Sequence, residues 1–265
     1  MELSFDDQGA GEPVVLVHGH PFDRSMWRPQ VEHLTAAGLR VITPDLRGYG
    51  RSPVVPGVTG LDVFAADLAE LLDRLGVDRF VLGGLSMGGQ IVLECYRLFP
   101  HRIRGLLLAD TFAEAETAEG RADRNAQADR LLREGMAGYA TEVLSKMVAP
   151  RTIREQPEVA AHVLRMMNAA PPEGAAAALR GRAERPDYLP LLPTITAPTL
   201  VVVGSADEFT PIRDARTIQQ GIPDAPLVII DGAGHLPNLE RPAEFNAALD
   251  RFLSVVFARP GPVPR

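Results

Sequence analysis

Phe80-Val-Leu-Gly-Gly-Leu-Ser-Met-Gly-Gly-Gln90 is the stretch on which the reading of this chain turns. A strand-sized apolar run passes through Gly84-x-Ser86-x-Gly88 into a helical pattern, Met87–Phe99. A serine at so sharp a strand-to-helix turn needs a strained backbone, and its neighbours approach so closely that only very small side chains fit. The turn lifts the hydroxyl clear of the sheet, at a helix N-terminus whose unpaired N–H groups favour developing negative charge. This is the context of a nucleophile elbow. A phosphate loop is the alternative for a Gly-rich turn, but no Lys-Ser/Thr follows here as a P-loop needs.

Outward from this segment, short apolar runs alternate with helical patterns, the signature of a parallel sheet covered on both faces. The expected strands are Val14–Val17, Arg40–Thr43, Arg79–Gly84, Gly105–Ala109, Thr199–Val203 and Leu227–Ile230, with Leu3–Asp6 at an edge. Each of the six is rich in β-branched residues or Leu and is bounded by Gly, Pro or Asp. Helices are expected over Arg28–Ala37, Val63–Leu75, Met87–Phe99, Asp214–Gln220 and Ala243–Phe257. Between Phe112 and Asp187 the alternation stops, and helix follows helix: Arg121–Glu134, Met136–Met147, Pro157–Ala169 and Glu173–Ala183. The expected organisation is a core formed by residues 1–111 and 188–259, with residues 112–187 inserted as a helical cap, a placement that often covers a site. The tail 260–265, with almost nothing to bury, is expected to be disordered.

The 265 residues are 46% hydrophobic and 23% charged, which suits a globular chain with a substantial core. Lys+Arg is 27 against Asp+Glu 34, a net charge of −7, so nucleic acid and anionic membrane surfaces are poor partners. The single cysteine, Cys95, permits no intramolecular disulfide and no Cys-rich zinc site. No basic segment followed by an apolar run opens the chain, and the apolar stretches are strand-sized, so a cytoplasmic protein is expected. Oligomeric state is not legible.

Two further segments complete a constellation around Ser86. Val203-Gly-Ser-Ala-Asp207 puts an acid just past one expected strand, and Asp231-Gly-Ala-Gly-His235 puts a histidine in a Gly-rich loop past the next. Singly, such an Asp is a turn former and such a His a surface residue. Together, Ser86, Asp207 and His235 stand in the order Ser…Asp…His at one edge of a parallel sheet. Oxyanion donors are expected from the backbone N–H groups of Met87 and of His20, because Pro21 has none to give.

His18-Gly-x-Pro21, Asp45-x-Arg-Gly-x-Gly-x-Ser52, Gly-x-Ser86-x-Gly, Gly204-x-x-Asp207 and Gly234-His235 together resemble the α/β-hydrolase superfamily, over roughly residues 11–111 and 188–257. Gly84-Leu-Ser-Met-Gly-Gly89, Leu108-Ala-Asp-Thr111 and Gly234-His-Leu-Pro-Asn-Leu-Glu240 are similar to the carboxylesterase and 3-oxoadipate enol-lactonase branch. The resemblance implies an α/β-hydrolase fold, with a mostly parallel sheet of about seven strands because the first family strand has no counterpart here. It implies a serine hydrolase of carboxylic esters or lactones, with Ser86 as nucleophile, His235 as base and Asp207 orienting it. The His18-Gly-x-Pro start is shared with cofactor-free haloperoxidases, so perhydrolysis is an alternative, as is a small-molecule sensor retaining the fold. Where the enol-lactonases carry a tryptophan, the segment Met136–Pro150 reads Leu144-Ser-Lys-Met-Val. No metal or organic cofactor is implied, and the partner is a small ester or lactone.

Phe22, Trp27, Phe112, Met136, Met147, Phe209 and Leu236 flank the expected cleft or come from the cap, and are the expected substrate-lining residues. Asp45, Arg47 and Ser52 read as turn and packing residues, and Asp110 as an alternative acid. His33 and His101 read as solvated, His162 as a surface residue of the cap, and Cys95 as buried and inert.

Overall fold

The computed structural model describes residues 1–258; the expected disorder of the tail 260–265 lies outside them. The central strands are β2 (Pro13–Val17), β3 (Arg40–Pro44), β4 (Phe80–Leu85), β5 (Ile103–Ala109) and β6 (Thr199–Gly204). At the two edges run β1 (Phe5–Gln8) and β7 (Leu227–Ile230), giving seven strands in the order β1-β3-β2-β4-β5-β6-β7. β1 is antiparallel to β3 and every other pairing is parallel. The expected edge strand Leu3–Asp6 is shifted by two residues: Leu3 is drawn into the core, and Phe5–Gln8 makes the pairing with Val41–Pro44.

Alternate residues of the central strands feed opposite faces, as the two-residue period of a strand requires. Val15, Val17, Leu82, Leu106, Leu108, Val201 and Val203 join one apolar cluster. That face is covered by α2 (Leu61–Arg74) and α3 (Met87–Leu98). Val14, Leu16, Val81, Leu107, Leu200 and Val202 join the other, under α1 (Arg28–Ala36) and α11 (Pro242–Ala258). Burial on both faces is why these strands read as continuous apolar runs rather than as alternating ones.

Between β5 and β6 run five helices: α4 (Ala118–Glu134), α5 (Ala137–Met147), α6 (Pro150–Glu155), α7 (Pro157–Ala169) and α8 (Pro172–Ala183). Four match the sequence expectation. The short α6 does not, because six residues, half of them charged, carry too little periodicity to read. α9 (Ile212–Gly221) follows β6, and the single-turn α10 (Pro237–Glu240) follows β7. Among the described residues no helix is long and apolar enough to cross a membrane.

Chain order reverses between β2 and β4: the chain leaves β2 toward β3, then returns to β2's other side. In open parallel sheets such a switch opens a crevice beyond the strands' C-terminal ends. The loops after β2 and β4 carry His20 and Ser86 to it.

Candidate active site

Ser86 takes φ 58° and ψ −118°, a conformation costing a non-glycine residue on the order of 1–3 kcal/mol. The flanking glycines have no room for anything larger. A Cβ on Gly84 would stand 2.3 Å from the carbonyl carbon of Gly88, and one on Gly88 would stand 2.2 Å from the carbonyl oxygen of Val17. The strained residue is pinned from behind: its N–H donates to the Ala109 carbonyl (2.9 Å), and the Thr111 hydroxyl donates to its carbonyl (2.7 Å).

Past β6, Asp207 lies in a turn that saturates its carboxylate. Oδ1 accepts from the N–H groups of Phe209 (2.8 Å) and Thr210 (3.2 Å), and the Thr210 hydroxyl donates to Oδ2. Oδ2 also accepts from His235 Nδ1 at 2.8 Å. Burial alone would raise the carboxyl's pKa, but the His235 charge and these hydrogen bonds outweigh it and hold Asp207 below the usual carboxylate range. Nδ1 is thereby fixed as the donor, which leaves Nε2 as the acceptor nitrogen of the neutral ring. Gly204 permits the approach of the two loops, since a Cβ there would lie 2.0 Å from the Gly234 carbonyl oxygen. The structure closes the Asp207–His235 half with a hydrogen bond. Among the described residues it draws none between His235 and the Ser86 hydroxyl, a contact that characteristically tightens only when substrate is bound.

Asp110, read as an alternative acid, follows β5 at φ 44°. It is fully buried, accepts from the Gly204 N–H (2.8 Å) through Oδ1, and lies with Asp207 and His235 in a cluster whose ligand atoms are within 4.8 Å of one another. Burial first, and then the neighbouring Asp207 charge, push its pKa well up. The hydrogen bond to His235 belongs to Asp207, and Asp110 lies in the same buried cluster.

The turn after β2 is tight, with the Phe22 N–H donating to the Gly19 carbonyl (3.0 Å). A Cβ on Gly19 would stand 3.3 Å from the Ser86 Cβ, so the His20 and Ser86 loops are in contact. The Met87 amide heads α3, where no intrahelical acceptor exists. His18 is structural: its Nε2 accepts from the Leu46 N–H (2.9 Å) and its Nδ1 donates to the Gly19 carbonyl (2.8 Å), tying the β2 loop to the β3 loop.

The expected lining residues divide. Phe209 is 39% exposed, with its ring 5.3 Å from that of His235, and Phe112 lies 4.4 Å under the Arg185 guanidinium. Phe22, Met147 and Leu236 are buried in the cluster on the α1–α11 side, and Met136 in the opposite one. Trp27 is fully buried too, with its ring 6.1 Å from Phe245 of α11.

Asp45 accepts from the N–H groups of Arg24 and Arg51 (both 2.9 Å) and from the Arg24 side chain (2.8 Å). Ser52 donates to the Asp45 carbonyl (2.7 Å), and Arg47 grips Asp67 with two bonds (2.6 and 2.7 Å). All three work as turn and packing residues. His162 of α7 meets Ser25 (3.3 Å), His33 meets Asp250 (2.8 Å), and Cys95 is fully buried.

Sequence reasoning assigned no role to Glu240. Fully buried, it accepts from the Gly234 N–H (2.8 Å) beside His235, and from the Ala149 N–H (2.8 Å) and Thr152 hydroxyl (2.6 Å) in the inserted helices. It ends the motif that begins at Gly234. A cavity of about 550 Å³, lined by Pro193, Ile195, Leu200, Pro226, Val228 and Phe252, opens at the opposite ends of β6 and β7 and holds no nucleophile–base pair.

The family model for the alpha/beta hydrolase fold matches residues 12–242. The chain belongs to this family. It is 30% identical to 3-oxoadipate enol-lactonase 1 of Acinetobacter baylyi, over 88% of this chain and 85% of that one. A malate-bound thermophilic esterase from Thermogutta terrifontis superposes with a TM-score of 0.93 at 44% identity, covering 96% of this chain and 93% of that one. A bromoperoxidase from Bacillus anthracis gives a TM-score of 0.86 at 27% identity, covering 95% of each chain.

Proposed function

We propose that this member of the α/β-hydrolase family is a serine hydrolase of carboxylic esters or lactones, working through an acyl-enzyme. The observation that carries the reading is the buried 2.8 Å bond from His235 to Asp207 on the edge where Ser86 is held in its strained turn. In this reading His235 Nε2 takes the Ser86 proton as Oγ bonds to the substrate carbonyl carbon. The carbonyl electron pair moves onto oxygen, where the His20 and Met87 amides receive it; each such donor is typically worth about 3–4 kcal/mol in the transition state. The carbonyl re-forms, the alkoxide leaves, and His235 gives it the proton. Water, deprotonated by His235, then attacks the acyl carbon and restores the Ser86 hydroxyl. The helices of residues 112–187 act as the cap that selects the substrate. The enol-lactonase and esterase likenesses support this assignment.

The test is turnover of a short p-nitrophenyl ester. Wild type should turn over many times, and Ser86→Ala should lose at least ~10³ in kcat while keeping its fold. Equal activity of the two proteins would dismiss the site, and a single stoichiometric burst would favour the sensor. The bromoperoxidase likeness keeps perhydrolysis as the second reading. Peroxide outcompeting water for the acyl-enzyme, measured by the ratio of peracid to acid, would favour it.

A further inference from the structure

One helical turn past Ser86 begins a cluster of side chains whose unpartnered polar atoms are donors. Arg182, next to last in α8, is 6% exposed, and its Nε donates to Gln90 Oε1 (3.0 Å). Among the described residues no carboxylate pairs with it, and its terminal guanidinium nitrogens donate to none of their groups. The two nearest cations, Arg124 and Arg185, repel it. Arg124 and Arg185 share one partner, Glu116, whose carboxyl they pull down to about 2 against its burial. Gln90, one helical turn after Ser86, is fully buried, and its Nε2 has no partner. His20 is 5% exposed; its Nδ1 meets the Tyr49 hydroxyl at 2.7 Å, and its Nε2 has no partner either. Burial, then the nearby Arg182 and Arg124, push the His20 pKa well down, while burial raises that of Tyr49. The Tyr49 phenol, with no other acceptor, donates to Nδ1, which leaves Nε2 as an N–H.

The position of this cluster is built in. α8 lies against the loops after β3 so tightly that a Cβ on Gly174 would stand 2.0 Å from the Gly48 carbonyl oxygen, and one on Gly181 1.7 Å from that of Thr59. Buried donors are nearly always satisfied, and a buried cation is nearly always paired. A cluster whose spare polar atoms, on Arg182, His20 and Gln90, are all donors fits an anion. Water can accept from each of these donors, but only an anion also balances the charge of the guanidinium.

Resting on the serine-hydrolase reading above, we propose that Arg182, with His20 Nε2 and Gln90 Nε2, receives a free carboxylate of the substrate. The preferred substrates are then half-esters of dicarboxylic acids, held by the second carboxylate while Ser86 attacks the ester. A planar guanidinium with two free nitrogens meets a carboxylate in paired hydrogen bonds.

The experiment compares kcat/KM for monoethyl adipate with that for ethyl hexanoate, a neutral ester of similar length. Wild type should prefer the half-ester, and Arg182→Met should lower the ratio of the two at least tenfold, about the worth of one charge-assisted hydrogen bond. An unchanged ratio, or a wild type that prefers ethyl hexanoate, overturns the proposal. Should the variant not fold, inhibition of wild type decides. Adipate should compete with ethyl hexanoate at least tenfold more strongly than hexane-1,6-diol does, and equal potency overturns the proposal. Calorimetric binding of adipate to Ser86→Ala separates the two readings, because this binding is independent of the chemistry at residue 86.

Discussion

At the end of β4 a side chain on Gly84 would begin 2.3 Å from the Gly88 carbonyl carbon, so the turn that presents Ser86 is fixed by the exclusion of atoms within five residues. At the ends of β6 and β7, Asp207 and His235 meet across 28 residues through one hydrogen bond, and the His235 loop is braced by Glu240. One arm of the site is local and steric, the other long-range and polar. A steric constraint fails all at once; a hydrogen-bonded one weakens by degrees. The arms should therefore respond differently to single substitutions.

The largest effect is expected at the elbow. Gly84→Ala puts a methyl group where backbone cannot withdraw, and should cost about 3 kcal/mol or more, read from the denaturant midpoint, together with esterase activity. A variant with wild-type stability would break the comparison. Glu240→Gln probes the other arm more gently. It keeps the shape but turns an amide toward the N–H of Gly234 or of Ala149, leaving one donor unanswered at about 1–3 kcal/mol. Roughly tenfold lower kcat should accompany it, because the His235 loop loses its brace while the elbow keeps its form. If kcat held while the midpoint fell, Glu240 would serve only the inserted helices.

The smallest effect concerns pH. An unfolded aspartate ionises near pH ~3.9, whereas folded Asp110 keeps its proton to higher pH. Below that point both states are protonated. Above it the unfolded chain releases a proton that the fold retains, so Asp110 lowers stability progressively until it too ionises. Asp207, held below the usual range, acts oppositely: its contribution is complete above the unfolded pKa and is lost as pH falls through the folded one. Asp110→Asn should therefore raise the melting temperature at pH 8 more than at pH 4. Equal shifts at both would show that Asp110 is ionised in the fold.

Much of the fold was legible because the β2, β4, β5 and β6 segments are buried on both faces and bounded by residues that cannot continue a strand. The antiparallel β1 was displaced by two residues, since Leu3 satisfies an edge pairing and the core equally well on paper. The elbow was legible in full, because its glycines, serine and following helix lie within one window of sequence. The lining set was not legible, because a large apolar side chain such as Trp27 carries no mark telling a helix–helix layer from a pocket wall. Arg182 and Gln90 gave no signal at all: an arginine in a helix reads as surface until its neighbours are known.

By itself the sequence determined the parallel sheet, the turn at Ser86 and the order of Ser86, Asp207 and His235, because strand period and steric exclusion act between near neighbours. Only the tertiary structure decided that Asp207 rather than Asp110 bonds His235, that Glu240 ties the His235 loop to the inserted helices, and that Arg182 lacks a counter-charge. Those are facts about which charges are buried beside which, and burial is a property of the packed chain.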